Sequence, residues 1–317
     1  MRAFIFPGQG SQAVGMGKAL AEAFMPAREV FREVDEALSQ HLARLMWEGP
    51  ESDLILTENA QPAIMAAGMA VVRVLQREAG LDFARHARLV AGHSLGEYTA
   101  LCAAGSFTLA DTARLLKTRG RAMQDAVPVG VGAMIALIGA DVALAEEAAK
   151  EAVAQAIEAD PVCTVANDNA PGQVVISGLK ATVDRAGEIA KAKGVKRVMP
   201  LSVSAPFHCR LMRPAADKMD EALAAVTIRP PAVPVVANVT AAETNEPETI
   251  RRLLVEQVTG RVRWRESVLS FRALGVETTV ESGGNKVLTG MVRRIDKDMA
   301  TVTLDTPADI EAFARTL

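Results

Sequence analysis

The most constraining stretch of this 317-residue chain runs from an apolar strand at 87–91, through Gly92-His93-Ser94-Leu95-Gly96, into a helix at 97–104. Glycines two places before and two after the serine remove the Cβ atoms that would clash where a strand turns sharply into a helix. Such a turn lifts the serine hydroxyl above the end of a sheet. The rest of the chain agrees with that setting. A strand at 2–6 enters the glycine-rich turn Gly8-Gln9-Gly10-Ser11-Gln12, and helical periodicity follows over 17–38, 58–79 and 109–124. Strands alternating with helices predict a mostly parallel sheet.

The pattern changes near Pro128. Strand 133–138, helix 142–158, strands 162–166 and 173–177, helix 181–193 and strand 196–202 follow one another. The order β-α-β-β-α-β is the ferredoxin-like arrangement. Asn167, Asn169, Pro171 and Gly172 read as the turn between its middle strands. Beyond it come a helix over 212–225, a strand over 233–238, helices over 249–258 and 264–273, a strand over 277–281, and a last pair of helices. The expected fold class is therefore α/β: a large α/β-hydrolase-like domain with a mostly parallel sheet, residues 1–127 and 204–317, and an inserted small ferredoxin-like domain, residues 128–203.

Composition removes several classes of function. The 35 basic and 38 acidic residues leave a net charge of −3, and aromatics are 4% with a single tyrosine, Tyr98. A nucleic-acid binder would carry a basic excess and stacking rings. No apolar run approaches the ~18 residues of a spanning helix, so no membrane partner is expected. The N-terminal apolar run stops at Pro7, too short for a secretory signal. Cys102, Cys163 and Cys209 lack metal-ligand spacing. No metal is expected, and reduced thiols point to the cytoplasm.

Ser94 is the candidate nucleophile, with the backbone N–H of Leu95 available to an oxyanion; the alternative is an ordinary N-cap serine. A serine nucleophile needs a base, and the chain has four histidines. His41 reads as solvated on a helix and His86 lies in a polar turn. His93 should leave the turn in another direction. His208, where the small domain rejoins the large one, is the favoured base. No aspartate can be chosen by spacing as a third member. Gly8-Gln9-Gly10 could present backbone N–H groups to an oxyanion; it lacks the G-x-G-x-x-G spacing and the lysine of a P-loop. Arg119 could clamp a carboxylate through two parallel bonds, or be a solvated arginine at a helix end. Cys209 reads as a small buried residue.

Phe6-Pro7-Gly8-Gln9-Gly10-Ser11-Gln12, Gln61-Pro62-Ala63, Gly92-His93-Ser94-Leu95-Gly96-Glu97, Arg119-Gly120 with Met123-Gln124, Asn167 to Gln173, Pro206-Phe207-His208 and Lys286-Val287-Leu288 occur in that order. Together they resemble the malonyl-CoA:acyl carrier protein transacylases of type II fatty-acid synthesis, over nearly the whole chain. The resemblance implies that Ser94 becomes malonylated and that His208 is general base, then acid. It implies that a main-chain carbonyl at Gln257 orients the histidine, that Gln9 and Leu95 form the oxyanion hole, and that Arg119 binds the malonyl carboxylate. Phe207 would favour malonyl over branched substrates. Malonyl-CoA would be the donor, with no permanently bound cofactor, and the acceptor would be acyl carrier protein through its phosphopantetheine thiol. The chain would act as a monomer. It departs from the family at Gly283-Gly284-Asn285-Lys286, where Gly-Pro-Gly usually precedes the lysine, so this loop is expected to differ in shape.

Three rival readings stand beside this one: a serine hydrolase on the same elbow, a non-catalytic acyl-CoA-binding subunit, and an acyltransferase serving a polyketide carrier protein. Basic residues near Lys191, Lys193, Lys196, Arg197, Arg261 and Arg263 are candidates to meet an acidic carrier protein.

Overall fold

The strand β1 (Arg2–Phe6) turns Phe4 and Phe6 to one side and Ala3 and Ile5 to the other, and all four are buried. Burial on both faces marks a strand inside a helix-covered parallel sheet. The computed structural model describes residues 1–203 and 205–317; the domain boundary expected at 204 lies outside the described residues.

After β1 come α1 (Lys18–Ala23), α2 (Met25–Leu38), α3 (Leu42–Glu48), α4 (Glu51–Leu54), α5 (Thr57–Glu78) and α6 (Phe83–His86). Then follow β2 (Leu89–Gly92), α7 (Leu95–Ala103) and α8 (Leu109–Asp125). The helix expected over 17–38 is two helices. Phe24 is extended, and Pro26 sits in the first turn of α2, where its missing N–H forfeits no helical bond.

The middle of the chain forms β3 (Gly132–Ile138), α9 (Val142–Ala154), β4 (Cys163–Ala170), β5 (Gln173–Leu179), α10 (Lys180–Ala192) and β6 (Arg197–Pro200). Its four strands pair antiparallel in the order β4-β5-β3-β6. They have a core of their own around Ile135, Val165, Ile176 and Val183. Asn167 and Asn169 lie within β4 rather than in the turn, which is made by Pro171 and by Gly172 at φ +72°. Two register shifts in β4 accompany this run of polar residues.

The last part comprises α11 (Arg213–Ala224), β7 (Val235–Val236), β8 (Glu243–Thr244), α12 (Pro247–Thr259), α13 (Trp264–Ala273), β9 (Thr278–Ser282), α14 (Val287–Ile295), β10 (Ala300–Leu304) and α15 (Pro307–Ala314). The large sheet has the order β10-β9-β1-β2-β7-β8 and is parallel except for the β7–β8 pair. The strand expected over 233–238 shrinks to two residues. β10, not foreseen, lies between the final two helices.

β4 is tied to the segment between α12 and α13. Asn167 bridges Val262, the Asp168 N–H donates to the Val262 carbonyl at 3.0 Å, and the Val262 N–H donates to that of Ala166 at 2.8 Å. The buried Asp168 carboxylate also accepts from Arg265 Nε at 2.9 Å. β4 is thereby held over the end of β2, where open α/β sheets form their ligand crevices.

Candidate active site

β2 ends at Gly92 and α7 begins at Leu95, so the turn between them is two residues long. Ser94 takes φ 53° and ψ −113°, a region that non-glycine residues rarely adopt. The flanking glycines permit it. A Cβ on Gly92 would stand 2.0 Å from the Gly96 carbonyl group, and one on Gly96 would stand 2.1 Å from the Phe6 oxygen. Asn238, just past β7, staples the turn: its Oδ1 accepts from the Ser94 N–H and its Nδ2 donates to the Gly92 oxygen, both at 2.7 Å.

The Ser94 side chain makes no capping bond, so the ordinary N-cap reading does not hold. Its Oγ lies 2.9 Å from His208 Nε2 and accepts from Arg119 Nη2 at 3.1 Å. His208 Nδ1 is 2.9 Å from the Gln257 main-chain oxygen and 3.1 Å from that of Gly260. Carbonyls only accept, so Nδ1 carries the proton and Nε2 presents its lone pair to the serine hydroxyl. Burial, reinforced by the nearby Arg119 charge, pushes the His208 pKa down to about 3 against the pull of the two carbonyls. The imidazole is therefore a neutral acceptor at neutral pH.

Arg119 is not a solvated helix-end residue; it is 1% exposed. Its neighbour Gly120 lets α8 touch α5, since a Cβ there would stand 2.5 Å from the Glu58 Cα. That approach brings Arg119 Nη1 to Gln61 Oε1 at 2.9 Å, while Nη2 donates to Gln257 Oε1 at 2.9 Å. The guanidinium lies 5.7 Å from the Tyr98 ring centre. Its Nε has no hydrogen-bond partner among the described residues. Burial lowers the Arg119 pKa, with Tyr98 and Glu97 opposing.

Ser94, His208, Arg119 and Gln61 line a cavity of about 440 Å³ together with Gln9, Leu95 and Phe207, and with an apolar wall of Met123, Met134, Leu201 and Val203. Such a volume suits a small organic ligand. Among the described residues, neither the Gln9 nor the Leu95 backbone N–H donates to another main-chain group. The structure thus gathers Gln9, Ser94, Leu95, Arg119, Phe207, His208 and Gln257 in one place. The arrangement can activate a hydroxyl, hold a developing oxyanion and receive a carboxylate.

Four more site residues had no role assigned from sequence. Gln61 fixes one arm of Arg119, and Asn238 fixes the elbow. Asn169 Oδ1 lies 2.8 Å from His93 Nε2, which ties the His93 ring to the small sheet. Glu97, 2% exposed, accepts at Oε2 from the Asn238 N–H at 3.0 Å and from Gln257 Nε2 at 2.8 Å. Burial pushes its carboxyl up to about 7, with those two bonds and Arg119 opposing. Of the remaining histidines, His86 Nδ1 accepts from the Asp82 N–H at 3.0 Å, and His41 is exposed before α3.

The three cysteines are free and buried, and burial pushes Cys102 up to about 11 and Cys163 up to about 12. Among the described residues no cluster could hold a metal ion and no helix is long and apolar enough to cross a membrane. The loop 283–286 has four successive positive φ angles, +72°, +97°, +56° and +66°. Proline cannot adopt the Gly284 angle, and a Cβ there would stand 2.3 Å from Pro7 Cγ. Four of the six basic candidates for carrier docking are already matched: Lys191 with Glu188, Lys193 with Glu147 and Glu151, Arg261 with Glu146, and Arg263 with Glu266.

Residues 3–304 match the acyl transferase domain family. The chain is 43% identical over 317 residues to the malonyl CoA-acyl carrier protein transacylase of Bacillus subtilis strain 168, covering 99% of this chain and 96% of that one. It superposes on the crystal structure of acyl-carrier-protein-S-malonyltransferase from Bartonella henselae with a TM-score of 0.96 and 53% identity, covering 99% and 98% of the two chains. A structure described as a type II PKS acyl-carrier protein in complex with its malonyl-transacylase matches with a TM-score of 0.94 and 41% identity, covering 100% and 99%. On this whole-length agreement in sequence and fold, the chain belongs to the malonyl CoA-acyl carrier protein transacylase family of acyl transferases.

Proposed function

We propose that this protein moves a malonyl group from malonyl-CoA to the phosphopantetheine thiol of acyl carrier protein, through a malonyl ester on Ser94. One observation carries the reading. A single hydroxyl, Ser94 Oγ, is touched within one cavity by a neutral base, His208 Nε2, and by a buried cation, Arg119 Nη2. A plain esterase would have no use for the second.

In the first half-reaction His208 Nε2 takes the Ser94 proton as Oγ attacks the thioester carbonyl. The Gln9 and Leu95 N–H groups hold the oxyanion, an effect typically worth about 3–4 kcal/mol per donor. The C–S bond then breaks, and the CoA sulfur leaves with the proton from His208. In the second half-reaction the carrier thiol gives its proton to His208 and attacks the ester carbonyl. The C–Oγ bond breaks, and the proton returns to Ser94. This is ping-pong chemistry. The Gln257 carbonyl orients the histidine in place of a carboxylate, Arg119 receives the malonyl carboxylate, and Phe207 beside His208 narrows the acyl pocket.

The strand order of the small sheet supports reading residues 128–203 as a ferredoxin-like domain set into an α/β-hydrolase-like domain of residues 1–127 and 204–317. We take the working unit to be a cytoplasmic monomer that needs no bound cofactor. Lys196 and Arg197, which form no ion pair among the described residues, remain available to an acidic carrier protein.

The test is the fate of the acyl group. Protein loaded with malonyl-CoA should hand malonate to holo-acyl carrier protein much faster than to water. Release of free malonate at an equal rate without the carrier would favour a hydrolase instead.

A further inference from the structure

Glu97 is a buried acid three residues beyond Ser94; its backbone N–H donates to the Ser94 main-chain oxygen at 3.0 Å, and its carboxyl group bonds Asn238 and Gln257 rather than the serine hydroxyl or the histidine. Its Oε2 meets two N–H donors, the Asn238 main chain at 3.0 Å and Gln257 Nε2 at 2.8 Å. Gln257 is the residue on which the rest of the site converges. Its Oε1 accepts from Arg119 Nη2 at 2.9 Å, and its main-chain oxygen accepts from His208.

A side-chain amide has one accepting end and one donating end. Turned over, Gln257 would set its NH2 group against the Arg119 guanidinium, donor to donor, and its oxygen against the Glu97 oxygen, acceptor to acceptor. Both contacts are repulsive. Gln257 Nε2 also donates to the Ser94 main-chain oxygen at 3.0 Å. Glu97 and that carbonyl together therefore select the one amide orientation that offers an oxygen to Arg119, with Glu97 as the nearer acceptor at 2.8 Å. In the dry interior such an oriented chain of bonds is stronger than its separate parts.

We propose that Glu97 is a positioning residue for substrate choice: by fixing, with the Ser94 main-chain oxygen, the polarity of the Gln257 side-chain amide, it holds Arg119 where a carboxylate-bearing acyl group is received. This rests on the transacylase reading above. The alternative role for a buried acid in this place is packing and support of the elbow alone, which would serve every acyl group equally.

The two roles separate by comparing malonyl-CoA with acetyl-CoA, whose acyl group has no carboxylate. Acyl-enzyme formation is followed by intact-protein mass for wild type, Glu97→Met and Glu97→Gln, with Tm recorded for each. Glu97→Met removes the nearer of the two acceptors, leaving only the Ser94 carbonyl to orient the amide, and should lower kcat/KM for malonyl-CoA about 10-fold more than for acetyl-CoA. Glu97→Gln keeps an accepting oxygen for both donors and should stay within about threefold of wild type on both substrates. Should Glu97→Met fail to fold, Glu97→Asp, which withdraws the acceptor by one methylene, is read in the same way. Equal losses on the two thioesters, no loss, or a Glu97→Gln defect as large and selective as that of Glu97→Met would overturn the proposal. A wild-type chain that takes no malonyl group would instead overturn the reading of the site itself.

Discussion

His208 Nδ1 donates to the main-chain oxygen of Gln257 at 2.9 Å, where other serine enzymes place a carboxylate. A neutral carbonyl orients the ring without stabilising its protonated form as an anion would. With burial and Arg119 acting against the imidazolium, the His208 pKa falls to about 3. A base with that value stays competent far into acid. Acyl-enzyme formation from acetyl-CoA should therefore be level from about pH 7 to about pH 5. A fall centred near pH 6.5, the ordinary histidine value, would contradict this.

The same histidine and Glu97 act on stability in opposite directions. His208 has a folded pKa of about 3 against an unfolded 6.5, so between those values the unfolded chain binds more protons and stability rises with pH. Glu97 has a folded pKa of about 7 against an unfolded 4.5, so between those values the folded chain binds more protons and stability falls as pH rises. From pH 4.5 to 6.5 the two slopes oppose each other. Glu97→Gln removes one of them, and its stability should gain on that of wild type by ~1.4 kcal/mol for each pH unit upward across this window. Denaturant unfolding at several pH values measures the difference; parallel curves would contradict it.

Two glycines should respond oppositely to alanine. A Cβ on Gly96 would stand 2.1 Å from the Phe6 oxygen, so Gly96→Ala must force strand and helix apart, at about 3 kcal/mol or more. Gly290, in α14, has no atom within 4 Å of its would-be Cβ apart from its chain neighbours and its own helix backbone, and no positive φ. Gly290→Ala should raise stability by about 0.5–1 kcal/mol through helix propensity. Equal effects of the two changes would refute the packing account of the elbow.

Arg119→Ala should separate the substrates. On the proposed function it removes the cation that receives the malonyl carboxylate, so malonyl-enzyme formation should fall at least about 100-fold while acetyl-enzyme formation is kept or increased. Equal loss with both thioesters would remove Arg119 from substrate choice.

Much of this site was legible in the sequence because its chemistry depends on local backbone. Gly92 and Gly96 announce the elbow, since only glycine fits a place where a Cβ would meet backbone at 2.0–2.1 Å. His208 emerged because there were few histidines to choose from. Residues whose role depends on distant partners were invisible: Glu97 meets Asn238 and Gln257 across 141 and 160 positions, and no local pattern records that. Asn167 and Asn169 looked like turn residues because asparagine is scarce in strands. They lie in β4 because the strand edge there is tied to Val262 and faces the cavity and His93. β10 escaped notice as a short run, Ala300–Leu304, that is a strand only because it pairs with β9.

The most direct test of the account is intact-protein mass after brief exposure to malonyl-CoA, for wild type and Ser94→Ala. The account predicts one malonyl group on the wild type, none on Ser94→Ala, and discharge of the adduct on adding holo-acyl carrier protein. An adduct that survives in Ser94→Ala, or CoA release from wild type with no adduct and no need of a carrier, would contradict it.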